Sequence, residues 1–262
     1  MPSSDEFGCL NLNITAPRQC LEEHSTRSVP VLVNIHGGGF TVGSSSLQVA
    51  GREMCDGMRL VQRGMAEGRP LVVVTINYRL GPLGFLASQE LEAFNRSHNE
   101  AVGNYGLHDQ RQALEWVFRF IGAFGGDADN VTLQGGSAGG TSCHFQAHFP
   151  GVKFKRAILS SGTSLGLGAM PLSYLQQRYN VFAKKFCAAE LDSSAAVKIL
   201  QSVPVDDFVD QPITAFYNPL IDHDWVKERS GVALQNNPTS VELMVGSCAF
   251  EVCMPVSILN AV

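Results

Sequence analysis

Asn130-Val131-Thr132-Leu133-Gln134-Gly135-Gly136-Ser137-Ala138-Gly139-Gly140 is the segment around which the rest of the chain is organised. A short β-branched and apolar run, Val131 to Leu133, meets Gly135-Gly136-Ser137-Ala138-Gly139, which has the form G-x-S-x-G, and a helix-compatible segment follows. A strand that must become a helix within one residue forces the central serine into strained backbone angles. The positions two before and two after it need glycine, because a Cβ at either would collide with the neighbouring strand and helix. Such a nucleophile elbow lifts the Ser137 hydroxyl clear of the sheet, beside the first N–H groups of a helix. Glycine-rich turns with a central serine also arise by chance, so the weight of the pattern comes from the strand before it and the helix after it.

Outward from the elbow, strand and helix patterns alternate. Leu10 to Ile14 alternates apolar and polar, as a half-buried edge strand does. Val31-Leu32-Val33-Asn34-Ile35 reads as a buried strand that delivers His36-Gly37-Gly38-Gly39-Phe40, and residues 41–50 read as a loop. From Gly51 to Gly68, Met54, Met58, Val61 and Met65 fall at helical spacing and predict one buried face. Leu71-Val72-Val73-Val74-Thr75-Ile76 is the strongest strand, uninterrupted as a sheet covered on both faces requires. Residues 77–86 read as a structured loop, 107–122 as a helix, 138–149 as the elbow helix and 156–160 as a strand. Residues 171–203 read as amphipathic helix, 204–240 as an insertion over the site, and 241–245 as a return to the sheet. The pattern predicts an α/β fold with a doubly wound, mostly parallel sheet. It forms one domain over 1–262, with a helical and loop insertion at about 165–240.

With 262 residues, 45% hydrophobic and 16% charged, the composition is that of a globular domain. A formal net charge of −5, without a block of Lys or Arg, argues against nucleic acid as a partner. No apolar run reaches the roughly 20 residues that a membrane-spanning helix needs, and Met1 to Phe7 does not resemble a signal peptide. Seven cysteines without C-x-x-C pairs give no zinc spacing, so neither metal nor cofactor is expected. Asn13, Asn95 and Asn130 head glycosylation sequons.

Taken together, Gly8 to Asn13, His36 to Phe40, Asn77 to Leu86, Gly103 to Gln110, Phe124 to Asp127 and the elbow resemble, in this order, the type-B carboxylesterase/lipase family. The resemblance runs from about residue 8 to 251 and implies an α/β-hydrolase fold with a Ser–Glu–His triad. It makes Ser137 the nucleophile, Glu251 the acid, and Gly38, Gly39 and Ala138 the oxyanion-hole donors. It also implies a buried structural ion pair between Arg79 and Asp109, and a small-molecule or lipid ester as substrate. The chemistry fits these residue types. A serine hydroxyl needs a base to take its proton and donors for the developing oxyanion, and a triglycine loop lets backbone approach substrate without side chains intervening.

Three departures from the family stand out. No histidine follows Glu251 in the order Ser, acid, His; the candidates are His24, His36, His98, His108, His144, His148 and His223, of which His36, His108, His144 and His148 have other expected roles. This reads as a truncated product lacking the C-terminal part of the fold and the base. In the family the cysteine at the Cys9 position pairs with one upstream, which is absent here, and Cys187 lacks a clear partner. Gly136 stands where many members carry Glu, which disfavours a choline ester as substrate. The rival expectations are a non-catalytic binding protein of the same fold, as the neuroligin-like members are, and a degraded product.

Overall fold

The computed structural model of the chain describes residues 8–22, 28–186, 192–209, 216–227 and 239–249. Its centre is a six-stranded sheet built from β1 (Leu12–Thr15), β2 (Val29–Ile35), β5 (Val72–Ile76), β6 (Gly126–Gly136), β7 (Arg156–Ser160) and β8 (Glu242–Gly246). β3 (Gln48–Val49) and β4 (Arg52–Glu53) form a separate hairpin. The order across the large sheet is β1-β5-β2-β6-β7-β8, with β1 antiparallel and all other pairs parallel. The uninterrupted apolar runs explain the centre: all five residues of β5 are buried, and Val31, Val33 and Ile35 of β2 are 0–1% exposed. Covering helices take both faces of such a strand away from water.

The helices are α1 (Met58–Ala66), α2 (Gly81–Phe85), α3 (Gln89–Ser97), α4 (Tyr105–Phe120), α5 (Ala138–Ala147), α6 (Leu172–Lys185), α7 (Ser193–Ser202) and α8 (Val205–Val209). Every residue of α5 is buried, so its polar side chains need partners inside the protein. Gln110 Nε2 of α4 donates to Ser142 Oγ (3.0 Å), Ser142 Oγ donates to the Ala138 carbonyl (2.9 Å), and Gln146 Nε2 donates to the Leu107 carbonyl (2.9 Å). A second apolar cluster joins α6 and α7 to Leu86 through Tyr179, Phe182, Ala183, Ala196 and Leu200.

Several elements differ from the sequence expectation. The helix expected between Gly51 and Gly68 begins only at Met58, and its sole buried residue is Val61. Met54, Met58 and Met65 are 60%, 53% and 39% exposed, so their helical spacing does not mark a core face. The hairpin of β3 and β4 falls at the end of the expected 41–50 loop, turning through Ala50 and Gly51 at positive φ. Within 77–86, α2 forms with Pro82 in its first turn, where a missing N–H costs nothing. The polar helix α3 lacks an apolar stripe long enough to read. Its local signals are Ser88, whose Oγ caps the Leu91 N–H at 3.1 Å, and Glu90 and Glu92 in the first turn. Asn95 is buried, and its Nδ2 donates to the Ala101 carbonyl and the Tyr105 hydroxyl (2.9 and 2.7 Å), so this sequon is sequestered.

Successive strands are added to one side of β2 and then, from β6 onward, to the other. The order of addition reverses between β2 and β6, which pair from Val31↔Val131 to Ile35↔Gly135. In open parallel sheets the crevice at the carboxyl ends of such a switch point is where ligands bind. Here those two strand ends carry the triglycine loop and the elbow.

Candidate active site

Ser137 lies between β6 and α5 with φ 54° and ψ −126°, a conformation that side chains rarely adopt, and it is exposed. Holding a non-glycine residue there costs on the order of 1–3 kcal/mol and persists only where surrounding contacts enforce it. Its N–H donates to the Ser160 carbonyl at the end of β7 (2.8 Å), and its carbonyl accepts from the Thr141 N–H (3.0 Å). The glycines around it are required by close approach. A Cβ on Gly135 would lie 2.3 Å from the Gly139 carbonyl carbon, and one on Gly139 would lie 2.1 Å from the Ile35 oxygen. Gly162 matters equally and carries no sequence signal of its own: a Cβ there would lie 1.9 Å from the Ser137 oxygen. Gly136 is different, since its nearest contact would be the Ser160 oxygen at 3.8 Å.

The loop after β2 sits directly against the elbow, because a Cβ on Gly37 would lie 2.6 Å from the Gly136 oxygen and 3.3 Å from Ser137 Cβ. Gly38 and Gly39 have φ of +116° and +63°, and Phe40 at φ 58° is wholly buried. The carbonyls of this loop are engaged. Gly38 accepts from the Thr41 and Val42 N–H groups, Gly39 from the Tyr217 N–H (3.1 Å), and Phe40 from the Gly81 N–H (2.7 Å). Among the described residues, the N–H groups of Gly38, Gly39 and Ala138 donate to no protein acceptor. The His36 ring stacks on Tyr78 at 4.5 Å, the Tyr78 hydroxyl donates to the His36 carbonyl (2.9 Å), and His36 Nδ1 faces the Gly37 carbonyl (2.8 Å).

A strap over the loop comes from residues 216–227, which lie within the expected insertion. Phe216 rests on Gly39, where a Cβ would meet the Phe216 ring at 2.0 Å. Arg178 of α6 donates to the Phe216 carbonyl and lies over the Tyr217 ring. Further along, Asp222 Oδ1 accepts from the N–H groups of Asp224, Trp225 and Val226, and Asp222 Oδ2 accepts from Asn104 Nδ2 (2.8 Å). The contacts of Phe216 with Gly39 and of Asp222 with Asn104 join segments more than 100 residues apart, which no local pattern discloses.

Most of the described histidines are engaged elsewhere, and His223 is exposed. His98 Nδ1 faces the Phe94 carbonyl (2.8 Å), His148 Nδ1 faces the His144 carbonyl (2.9 Å), and the His108 ring packs edge-on against Trp225. His144 Nδ1 accepts from the Ser164 N–H (3.2 Å), so its own proton sits on Nε2, which has no partner. None of them forms a hydrogen bond with Ser137 among the described residues. His24 and Glu251 lie outside the described residues, as do Cys187 and Cys253. Asp109 accepts from Arg79 at both carboxylate oxygens, from Nε and Nη2 at 2.7 Å each, and from the Arg79 backbone N–H at 3.0 Å. The pair is only partly buried, since the Arg79 side chain is 38% exposed and that of Asp109 6%. Among the described residues no three His, Cys, Asp or Glu gather to hold a metal, and no helix is long and apolar enough to cross a membrane.

Burial, then the neighbouring His148, pushes His144 down to about 4 from 6.5. The unfolded chain therefore takes up a proton that the folded protein does not. This contribution to stability is complete above 6.5 and is lost as pH falls from there toward 4. Its loss between pH 7 and pH 5 should amount to about 2 kcal/mol. Urea midpoints at the two pH values check this, and His144→Gln should shrink the difference.

A strained, exposed serine at a β–α turn, beside a glycine loop at the switch point of a parallel sheet, defines the α/β-hydrolase class. The chain belongs to the carboxylesterase family, whose family model matches residues 3–261. It is 42% identical over 158 residues to the para-nitrobenzyl esterase of Bacillus subtilis (strain 168), covering 60% of this chain and 28% of that protein. Over 253 residues it is 32% identical to the bile salt-activated lipase of Mus musculus, covering 91% and 39%. It is 44% identical over 160 residues to the acetylcholinesterase of Gallus gallus, covering 60% and 18%. The chain thus spans less than half the length of each of these relatives.

Proposed function

We propose that the site acts on carboxylic esters through an acyl-enzyme at Ser137. Ser137 Oγ attacks the ester carbonyl carbon, giving up its proton to a base, while the Gly38, Gly39 and Ala138 N–H groups take the negative charge that develops on the carbonyl oxygen. The bond to the alcohol oxygen then breaks and the alcohol leaves with a proton. Water, giving up a proton in turn, releases the acid and restores the serine. The observation that carries this reading is the strained, exposed Ser137 held against Gly37. Glu251 takes the role of the acid. Gly136 leaves the position before the nucleophile without a carboxylate, which favours an uncharged alcohol group over a cationic one.

The same reading holds that this chain carries nucleophile, oxyanion hole and acid but no base, supported by the contacts that engage His98, His144 and His148 away from Ser137. Losing the base of a Ser–His pair costs about 10⁶ in kcat. The purified chain is therefore expected to hydrolyse p-nitrophenyl acetate at close to the rate of its Ser137→Ala variant. Fast turnover abolished by Ser137→Ala would keep the nucleophile and overturn the missing base, while fast turnover unaffected by it would overturn the site.

A further inference from the structure

A cleft of ≈ 500 Å³ opens between α2, α3 and the start of α4 on one side and α7 and α8 on the other. Its walls share no residue with Ser137 or the 36–40 loop. The volume falls in the range of about 300–1,000 Å³ in which proteins hold small molecules. Interiors are otherwise packed to the density of organic crystals, so an opening this size between helices that share an apolar cluster invites an occupant.

The lining states what that occupant is. The body of the cleft is apolar, made by Leu83, Leu86, Leu91, Phe94, Val205 and Phe208. Its polar groups are Arg79, Asn95, Glu100 and Tyr105, with Gln201 on the α7 wall. Arg79 is already engaged through Nε and Nη2 by Asp109, and Glu100 adds an exposed carboxylate. With the Asp109 and Glu100 carboxylates set against the single Arg79 guanidinium, a ligand carboxylate would meet a local balance that is negative. The Tyr105 hydroxyl accepts from Asn95 Nδ2 at 2.7 Å, which leaves its own proton to donate. Burial raises its pKa, so the proton stays in place. An apolar chain ending in an uncharged oxygen suits this set; an anionic head does not.

We propose that the cleft between α2–α4 and α7–α8 binds an uncharged long-chain alcohol, with the chain against Leu83, Phe94 and Phe208 and the hydroxyl oxygen at Tyr105. The proposal goes beyond the chemistry at Ser137 and does not rest on it.

Calorimetric titration of the full chain with 1-octanol, 1-nonanol and 1-decanol tests it. Each added methylene should tighten binding about fourfold, and octanoate should bind at least about tenfold more weakly than 1-octanol. Val205→Trp should fill the cleft and abolish binding, with circular dichroism confirming the fold. Tyr105→Phe, which leaves Asn95 bonded to the Ala101 carbonyl, should cost about tenfold. Failure of the alcohols to bind, or undiminished binding by both variants, would overturn the site. Octanoate binding as tightly as octanol would overturn the head-group assignment. None of these outcomes depends on ester hydrolysis, so the proposal and the reading of Ser137 can fail separately.

Discussion

Gly139→Ala is expected to lower stability by about 3 kcal/mol or more, at the upper end of what overpacking costs. Alanine is the better helix former, and at an exposed helical position the change would stabilise. Here the added methyl would lie 2.1 Å from the Ile35 oxygen and 3.0 Å from the His36 oxygen. Neither can retreat easily: Ile35 is paired with β5 on one side and β6 on the other, and the His36 carbonyl holds the Tyr78 hydroxyl. At about 2–4 °C per kcal/mol the melting temperature should fall by on the order of 10 °C. Gly136→Ala is the control, with its nearest contact at 3.8 Å, and should stay within about 0.5 kcal/mol of the parent. Equal melting curves for the two variants would mean that the elbow does not press on β2 as described.

Asp109→Ala should cost about 2–4 kcal/mol. The range for breaking a buried ion pair is about 3–5 kcal/mol, reduced because the Arg79 side chain remains 38% exposed to water. The loss would exceed that of an ordinary pair because three Arg79 donors, its backbone N–H among them, lose their acceptor together. Glu67→Ala supplies the comparison. Its partner Arg63 is 77% exposed and Glu67 itself 48%, and such surface pairs contribute at most about 1 kcal/mol. Urea denaturation midpoints measure both variants. A small effect at Asp109, no larger than at Glu67, would reduce that pair to a surface contact.

What could be read in the chain depended on whether a local pattern carried it. Val72 to Ile76 announces itself because a strand buried on both faces is almost wholly apolar, and Val31 to Ile35 because Val31, Val33 and Ile35 alternate onto one buried face. The elbow was legible because a strand–turn–helix change within one residue demands Gly135 and Gly139. The methionines at 54, 58 and 65 misled, since large apolar residues also stand on protein surfaces and their spacing alone does not establish a core face. α3 went unread because it is mostly polar and its evidence lies in its cap. Gly37 and Gly162 press on the serine from other loops, and Phe216 and Tyr217 arrive on Gly39 from the far end of the chain. Such contacts depend on tertiary approach and leave no periodicity. The same holds for Asn95, whose sequon is exposed in the alphabet and buried in the fold.

Nucleophilic attack by Ser137, presented by the elbow, is the proposed step on which ester hydrolysis here depends. Treating the purified chain with a fluorophosphonate while supplying imidazole as an external base, then mapping the modified peptide by mass spectrometry, probes that step. Attack by Ser137 Oγ forms an O–P bond and expels fluoride, with imidazole taking the proton. A single phosphonyl adduct on Ser137 is expected, formed faster as imidazole is raised and absent from Ser137→Ala. An adduct located on other residues, or none at Ser137 at any imidazole concentration, would contradict it.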